Sequence, residues 1–547
     1  MNVLAAVRRG VAGGAAVLAG KPRRWQMPLV WVWVAFCLFS IHGRGLELQL
    51  DKNPTDRMRF HAIPVAVSSL YHGWPHDYTA IKPLALPFQG VGSLDELIEW
   101  AVTHEAPPVN DVYFWAADDR GMADYVSWAF RLFGPGLDSL YLFFFVVLGV
   151  SSALFLIEAR GRPGMSALLV FTLAGLYASL GVIPLANLSE TVYAPVTIYE
   201  PRTIELLAFI PVLHLAFAGL GRAPWTRGRL AVAALQAGIL AWCYLARSSI
   251  GWQVGFIILM ASMLWAASVL RERAAGRWPA PRDWVRLSRP GVVTLLLVVL
   301  AFAGLTAYKR VMFHPAYFGE WGVRVVWHNA LMAVGSDPVL GPKYKLSVSD
   351  ADSIQAVLTY LRERNDTRLD PSWDLQTFLN SFGSHVQVDW PLYDEAARDL
   401  YFHIWRENPR AMLRLYLVQK PHEAWSTLVG ATRAYPMEQR YRHGVGVTRH
   451  PMEQRNRHGL FFEPLSAGSL MLALPGLLLV LATRARLGAY AAGAALLFVL
   501  ALVPGVMFYS VVLTMMGAFV SAAVVLYLVV AGACAFASRI ATGAAPP

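Results

Sequence analysis

DSLYLFFFVVLGVSSALFLIEARGRPGMSALLVFTLAGLYASL, residues 138–180, holds two uncharged apolar runs joined by the hinge EARGRPG. Each run is close to the ~17–25 residues that carry a helix across a bilayer. The hinge concentrates Glu158, Arg160, Arg162, two glycines and a proline, so the chain leaves the apolar phase, turns and re-enters it. The same alternation recurs along the sequence. It marks ten spans at about 26–42, 139–157, 165–186, 203–220, 230–246, 250–270, 291–308, 466–483, 487–505 and 508–535. Spans five and six are separated only by Arg247-Ser248-Ser249, and spans nine and ten by a short turn at Pro504-Gly505.

The composition agrees with this reading. Of 547 residues, 56% are hydrophobic and 15% charged, and the mean hydropathy is +0.43. Such a balance points to a polytopic membrane protein rather than a string of soluble domains. Cys37, Cys243 and Cys534 all fall in apolar runs, which excludes a disulfide framework or a CxxC metal site. Arginine and lysine followed by a short apolar run resemble a secretory signal, but no small-residue cleavage site follows Phe39, so an uncleaved first span is expected.

The net charge of +11 first suggests nucleic acid, and its placement removes that reading. With the N-terminus inside, the inner segments carry 19 basic residues against Glu158, Glu272 and Asp283. The rest of the chain holds 28 basic and 33 acidic residues. This asymmetry obeys the positive-inside rule in one orientation only. It predicts a plasma (bacterial inner) membrane protein with both termini cytoplasmic.

The expected organisation is a tail over 1–25, a membrane core over 26–308 with an outer loop at 43–138, an outer domain over 309–465, and C-terminal spans over 466–547. In the acid-rich first loop, SLDELIEWAVTH (93–104) and DYVSWAFRLFG (124–134) have helical spacing, with Trp and Phe on one face, as surface helices do. In the second loop, DSIQAVLTYLRER (352–364) and YDEAARDLYFHIWRENPRAMLRLYLVQKPHEAW (393–425) are amphipathic and helical, the latter broken at Pro409. The fold expected is therefore all-α, with about ten transmembrane helices and a mostly helical outer domain between spans seven and eight.

No Walker loop, GxGxxG, HExxH or GxSxG motif is present. Three stretches at membrane boundaries carry the remaining signal. DRMRFHAIPVAVSSLYHGW (56–74) sets Asp56 four residues before Phe60, then an apolar helix and Gly73-Trp74. It resembles the opening of the first outer loop in the GT-C superfamily of polytopic glycosyltransferases, where the acid is the catalytic base. DDRGMADYVSWAFRLFGPGLDSLYLFFFVVLGV (118–150) resembles the segment leading such proteins into their second span. Where that family frequently has His-Pro, this chain has Asp118-Asp119-Arg120-Gly121, which leaves substrate class and a metal role at this second site open. ILAWCYLARSSIGWQVGF (239–256) is similar to the family's span ending outside in a basic residue, here Arg247. The large outer domain also looks like the arrangement of protein O-mannosyltransferases. The resemblance covers the layout of residues 26–270 and implies a polyprenyl-phosphate sugar donor.

The chemistry is self-consistent. An acceptor hydroxyl attacking an anomeric carbon needs a carboxylate base. The departing phosphate needs a fixed cation at the poorly solvated bilayer edge. Asp56, with Asp51 and Asp119 as alternatives, would supply the base, and Arg247 the cation. Asp56 could equally cap the helix that follows it, and Arg247 could simply snorkel. Asp118, Asp124 and His328, in VVWHNALMAVGSDP (325–338), are acceptor-site candidates, against a solvated turn and a packed histidine. No cofactor motif occurs, though a divalent cation is admissible at the acidic second site.

YPMEQRYRHGVGVTRHPMEQRNRHG (435–459) repeats itself after fifteen residues. Its six arginines and two acids between Arg433 and Arg457 repel a metal and suit an anionic headgroup or lipid phosphate, with Arg440 and Arg455 as donor-phosphate candidates. The plainer reading is a tandem duplication in a tolerant loop. Rival functions are an O-antigen ligase or polymerase-like enzyme, which would draw on arginine and histidine in the late loop. A transporter would draw on Glu205 and His214 in span four.

Overall fold

The computed structural model describes residues 23–47, 120–180, 204–220, 225–247, 250–276, 281–312, 326–381, 388–430, 466–483, 485, 487–508 and 515–541, with 66, 70–72, 98–99 and 102–103 between them. The described residues form helices and no strand. In chain order these are α1 (Arg23–Glu47), α2 (Arg120–Phe133), α3 (Leu137–Ala159) and α4 (Pro163–Leu180). A 3-10 turn (Glu205–Ala208) leads into α5 (Phe209–Ala218), followed by α6 (Arg227–Ala246), α7 (Gly251–Ala274) and α8 (Pro281–Met312). Next come α9 (Val326–Gly335), α10 (Leu340–Tyr344), α11 (Asp350–Glu363), α12 (Leu375–Ser381) and α13 (Trp390–Glu407). A π turn (Leu415–Gln419) joins α14 (Pro409–Arg414) to α15 (Lys420–Gly430), and α16 (Ala467–Thr483), α17 (Gly488–Met507) and α18 (Met516–Ala541) complete the described chain.

Eight of these helices, α1, α3, α4, α6, α7, α8, α17 and α18, are long and apolar enough to cross a membrane; α5 with its leading turn and α16 are shorter apolar helices. The described chain is therefore all-α, and its long apolar helices mark a membrane-embedded protein. The helices fall on the apolar runs of the sequence with two shifts. The seventh run lengthens at its start, because the basic stretch 282–289 continues the helix through Pro290, whose carbonyl accepts from Thr294 Oγ1 at 3.1 Å. The last helix begins at Met516 rather than near 508.

Lipid supplies no hydrophobic drive between helices, so close packing and polar bonds hold the bundle. α4 is apolar on every face and is buried by α1, α16 and α18. Small residues allow the approach: Gly175 lies against Val520 and Ala523, and Gly476 against the Phe171 ring. Deeper in the bundle Ser151, Gln236 and His214 bond one another. Ser151 Oγ donates to Gln236 Oε1 at 2.8 Å, and the Gln236 amide meets the Ser151 carbonyl at 2.8 Å and His214 Nδ1 at 3.1 Å.

The helix ends are sorted by charge. At one end Glu158 of α3 is buried, with Arg229 Nη2 at 2.6 Å, Arg229 Nε at 3.0 Å from both oxygens, and Arg162 at 3.2 Å. Both arginines also donate to the Ala218 carbonyl that ends α5, at 3.0 and 3.5 Å. This clamp joins α3, α4, α5 and α6 at the arginine-rich end. Gly219 beside Pro290 adds α8 to it.

A second hydrophobic core, separate from the bundle's, is built within residues 326–416 by α9, α11, α13 and α14 around Phe378, Trp390 and Tyr393. α15 does not belong to it: Ala424 and Leu428 join the bundle core.

The clamp yields a stability prediction. Glu158→Ala strips two half-buried guanidinium groups of this buried carboxylate, and breaking a fully buried ion pair costs roughly 3–5 kcal/mol, an upper bound here. Thermal unfolding in detergent should show a clearly lower Tm for Glu158→Ala, while Arg160→Ala, exposed on the same turn, stays near the parent value. Equal Tm for the two variants would contradict the clamp.

Candidate functional site

The end of the bundle opposite the arginine-rich clamp gathers the groups with chemistry. α6 ends at Ala246, and Arg247 caps it in an extended conformation, its backbone N–H donating to the Cys243 carbonyl at 3.0 Å. The Arg247 carbonyl accepts from Ile250 N at 3.2 Å, which starts α7 almost at once. Arg247 is half-buried in this tight joint.

α2 docks onto that joint. Gly121 lies so close that a Cβ there would fall 2.6 Å from the Ala246 Cα and the Leu245 carbonyl carbon. Only glycine permits this approach. One turn later Asp124 accepts from the Tyr308 hydroxyl of α8 at 3.3 Å. α2 is apolar on two faces: Tyr125, Val126, Ala129 and Phe130 are buried, whereas Trp128, Leu132 and Phe133 are exposed. Its aromatic residues thus divide between protein and surroundings instead of sharing one face.

Two further polar side chains lie at this end. Glu205 opens the 3-10 turn before α5, is buried, and accepts from Trp252 Nε1 at 2.9 Å. Gln253, next to Trp252 in the first turn of α7, is 0% exposed, and neither atom of its amide has a hydrogen-bond partner among the described residues. An amide so placed costs free energy unless something completes its bonds. The Trp252 ring itself is seated on Gly517 at the start of α18 and against Phe209.

Of the candidates read from sequence, Arg247 and Asp124 both lie at this end. Asp51, Asp56, Asp118, Asp119, Arg440 and Arg455 lie outside the described residues. Sequence reasoning missed Gln253 altogether and weighed Glu205 only for transport. The available signal was a carboxylate and an amide opening apolar helices, where lipid solvates neither. Among the described residues no group of three His, Cys, Asp or Glu gathers to hold a metal ion.

His328 stands apart, in the core of the second unit. Nδ1 is 2.7 Å from the Tyr393 hydroxyl and Nε2 is 2.9 Å from Asp350 Oδ1, so the ring braces α9 to α11 and α13. Asp394 completes the brace by accepting from the backbone N–H groups of Trp327 and His328, at 2.9 and 3.1 Å, at the start of α9. Burial raises the Asp394 carboxyl above the usual carboxylate range, against the lowering effect of those two bonds. Burial also pushes the Tyr393 phenol well up.

No protein-family model matches the chain, and no curated protein or solved structure matches it.

The brace has a pH signature. Because the folded state holds the Asp394 proton more tightly than the unfolded chain, this group's contribution to stability falls as pH rises between its unfolded and folded pKa. Asp394→Asn keeps an acceptor for both N–H groups and removes that pH dependence, with stability at neutral pH held or slightly raised. Asp394→Ala loses the cap, at about 0.5–2 kcal/mol. Hydrogen exchange of the α9 amides in the full chain across pH checks both; equal protection in Asn and Ala variants would refute the capping role.

Proposed function

We propose that the chain transfers a sugar from a polyprenyl-phosphate carrier to an acceptor hydroxyl on the outer face of the membrane. The observation that carries this is the seat of Gly121 on Leu245 and Ala246, with Asp124 bonded to Tyr308. It brings the start of α2, which follows the acidic end of the first loop, to the helix end that Arg247 caps. One place then holds a fixed cation, carboxylates and aromatic faces, at the end of the bundle that the charge asymmetry assigns to the outside.

The roles follow from the reaction. A carboxylate of the first loop, Asp56 with Asp51 and Asp119 as alternatives, takes the proton of the acceptor hydroxyl as its oxygen attacks the anomeric carbon. The bond from that carbon to the phosphate oxygen breaks and its electron pair leaves with the phosphate. Arg247 stabilises this growing charge, and the anomeric centre inverts. Gln253 and the Glu205–Trp252 pair offer hydrogen bonds and an aromatic face to the sugar. The transport reading has its own support in the buried Ser151–Gln236–His214 group, but those side chains largely satisfy one another, as helix-to-helix bonds in membranes do.

Transfer from a radiolabelled polyprenyl-phosphate sugar in detergent, with donor binding measured in parallel, tests the proposal. Whichever of Asp56→Asn, Asp51→Asn and Asp119→Asn removes the base should lower turnover ~10²–10⁴-fold while donor binding survives. Arg247→Ala should weaken donor binding as well as turnover. Gln253→Leu, close in size, should raise the donor KM while holding or raising Tm, since it removes an unpartnered buried amide. Full turnover by all three Asp variants together with unaltered donor binding by Arg247→Ala would overturn the reading.

A further inference from the structure

The helical rod from Pro409 to Gly430 carries a feature that transfer chemistry does not use. Its exposed residues come in adjacent pairs every four positions: Pro409 and Arg410, Leu413 and Arg414, Leu417 and Val418, Pro421 and His422, Trp425 and Ser426. In an α-helix of 3.6 residues per turn, a four-residue repeat drifts about 40° per step and would wind around the rod. The π turn at Leu415–Gln419 lies in the middle of the repeat. A π turn closes i→i+5 and so holds about one residue more than an α turn, which takes back much of the drift. The pairs therefore stay on one side of the rod.

The same turn changes what the inward side packs on. Up to its first residue, Met412 and Leu415 belong to the core of the second unit; after it, Ala424 and Leu428 belong to the core of the bundle. The rod is thus the joint between the two, and its exposed stripe runs past the boundary where the bundle ends. That stripe is apolar where a soluble surface would not be: Leu413 is 49% exposed, Leu417 71%, Val418 60% and Trp425 54%. α15 packs on α17, whose own exposed residues Val499, Val503 and Met507 repeat every four positions along a helix apolar enough to span the membrane. The rod thus lies beside a helix whose own surface is suited to lipid. Arg410 and Arg414 border it at the end nearer the second unit, and Trp425 lies at the bundle end, the order in which headgroup phosphates and the acyl boundary are met.

We infer that the rod 409–430 is an interfacial helix that seats the second unit on the bilayer, with Leu413, Leu417, Val418 and Trp425 in the acyl boundary of the adjoining leaflet and Arg410 and Arg414 on anionic headgroup phosphates. The π turn is what lets one helix pack on two cores and still present one face to the lipid. This inference is independent of the transfer reaction.

The test uses the full chain in lipid nanodiscs, spin-labelled at single cysteines in a Cys534→Ser background, the other two native thiols being buried. Leu417→Cys and Val418→Cys are compared with Val339→Cys and Val348→Cys, exposed positions of the second unit. Labels at 417 and 418 should collide with oxygen severalfold more than with a water-soluble nickel chelate, and those at 339 and 348 should show the reverse. Nickel access at 417 and 418 equal to that at 348 would overturn the proposal. So would shielding from both reagents with spin coupling between molecules, which would mean a second copy covers the stripe. Replacing zwitterionic lipid by phosphatidylglycerol should deepen the 417 label, and the double variant R410Q/R414Q should abolish that response. A parent protein indifferent to lipid charge would refute the phosphate contacts.

Discussion

The buried carboxylate of Glu158 is the constraint on which the bundle depends. A charge at the edge of a bilayer is tolerated only when paired, and Arg162 and Arg229 pair it from the start of α4 and the start of α6. Their extra bonds to the Ala218 carbonyl draw in the end of α5. Four helices are thereby aligned at one level. Alternation of the chain then leaves the start of α5, the end of α6 and the start of α7 at the other end, where the described residues place Glu205, Arg247 and Gln253. A clamp at one end of the bundle thus assembles the polar groups at the other.

Buried polar atoms without a partner among the described residues occur at both ends, Ser166 Oγ near the clamp and Gln253 opposite it, with His214 Nε2 between them; at Gln253 a whole amide is left over. At the clamp every oxygen of Glu158 is bonded, and at mid-bundle Ser151 and Gln236 complete one another. At the opposite end the Gln253 amide is buried without a partner among the described residues, and Glu205 is held by an indole N–H. A close-packed protein keeps such groups where a ligand completes them. That amide, together with the seat of Gly121 on Leu245 and Ala246, is why the proposed reaction is placed at the Arg247 end.

Much of the fold was legible in the sequence because lipid imposes one simple rule, that a crossing segment is apolar and helical over its length. The ten apolar runs accordingly coincide with described helices, eight of them long enough to cross. Arg247 was legible for the same reason, as a charge at the end of an apolar run. Contacts between distant segments were not. The bond between Asp124 and Tyr308 joins residues 184 positions apart, and no local pattern announces it. Gln253 went unremarked, since its isolation follows only from the packing of α7. His328 was legible as a polar residue beside a tryptophan, but its role as a brace depends on Tyr393 and Asp350 from two other helices. The π turn was hidden too, although the four-residue spacing of 409–426 is written in the sequence; without the two cores it joins, that spacing has no meaning.

The central claim is that the Arg247 end of the bundle receives the phosphate of a lipid-linked sugar. A polyprenyl-phosphate sugar carrying a diazirine beside its phosphate, irradiated with the intact protein in nanodiscs and mapped by peptide mass spectrometry, tests it most directly. Adducts within residues 118–124, 247–253 and around Tyr308, suppressed by unmodified donor, are the predicted result. Competable adducts confined to the arginine-rich end near Arg162 and Arg229, or labelling that unmodified donor does not suppress, would contradict it.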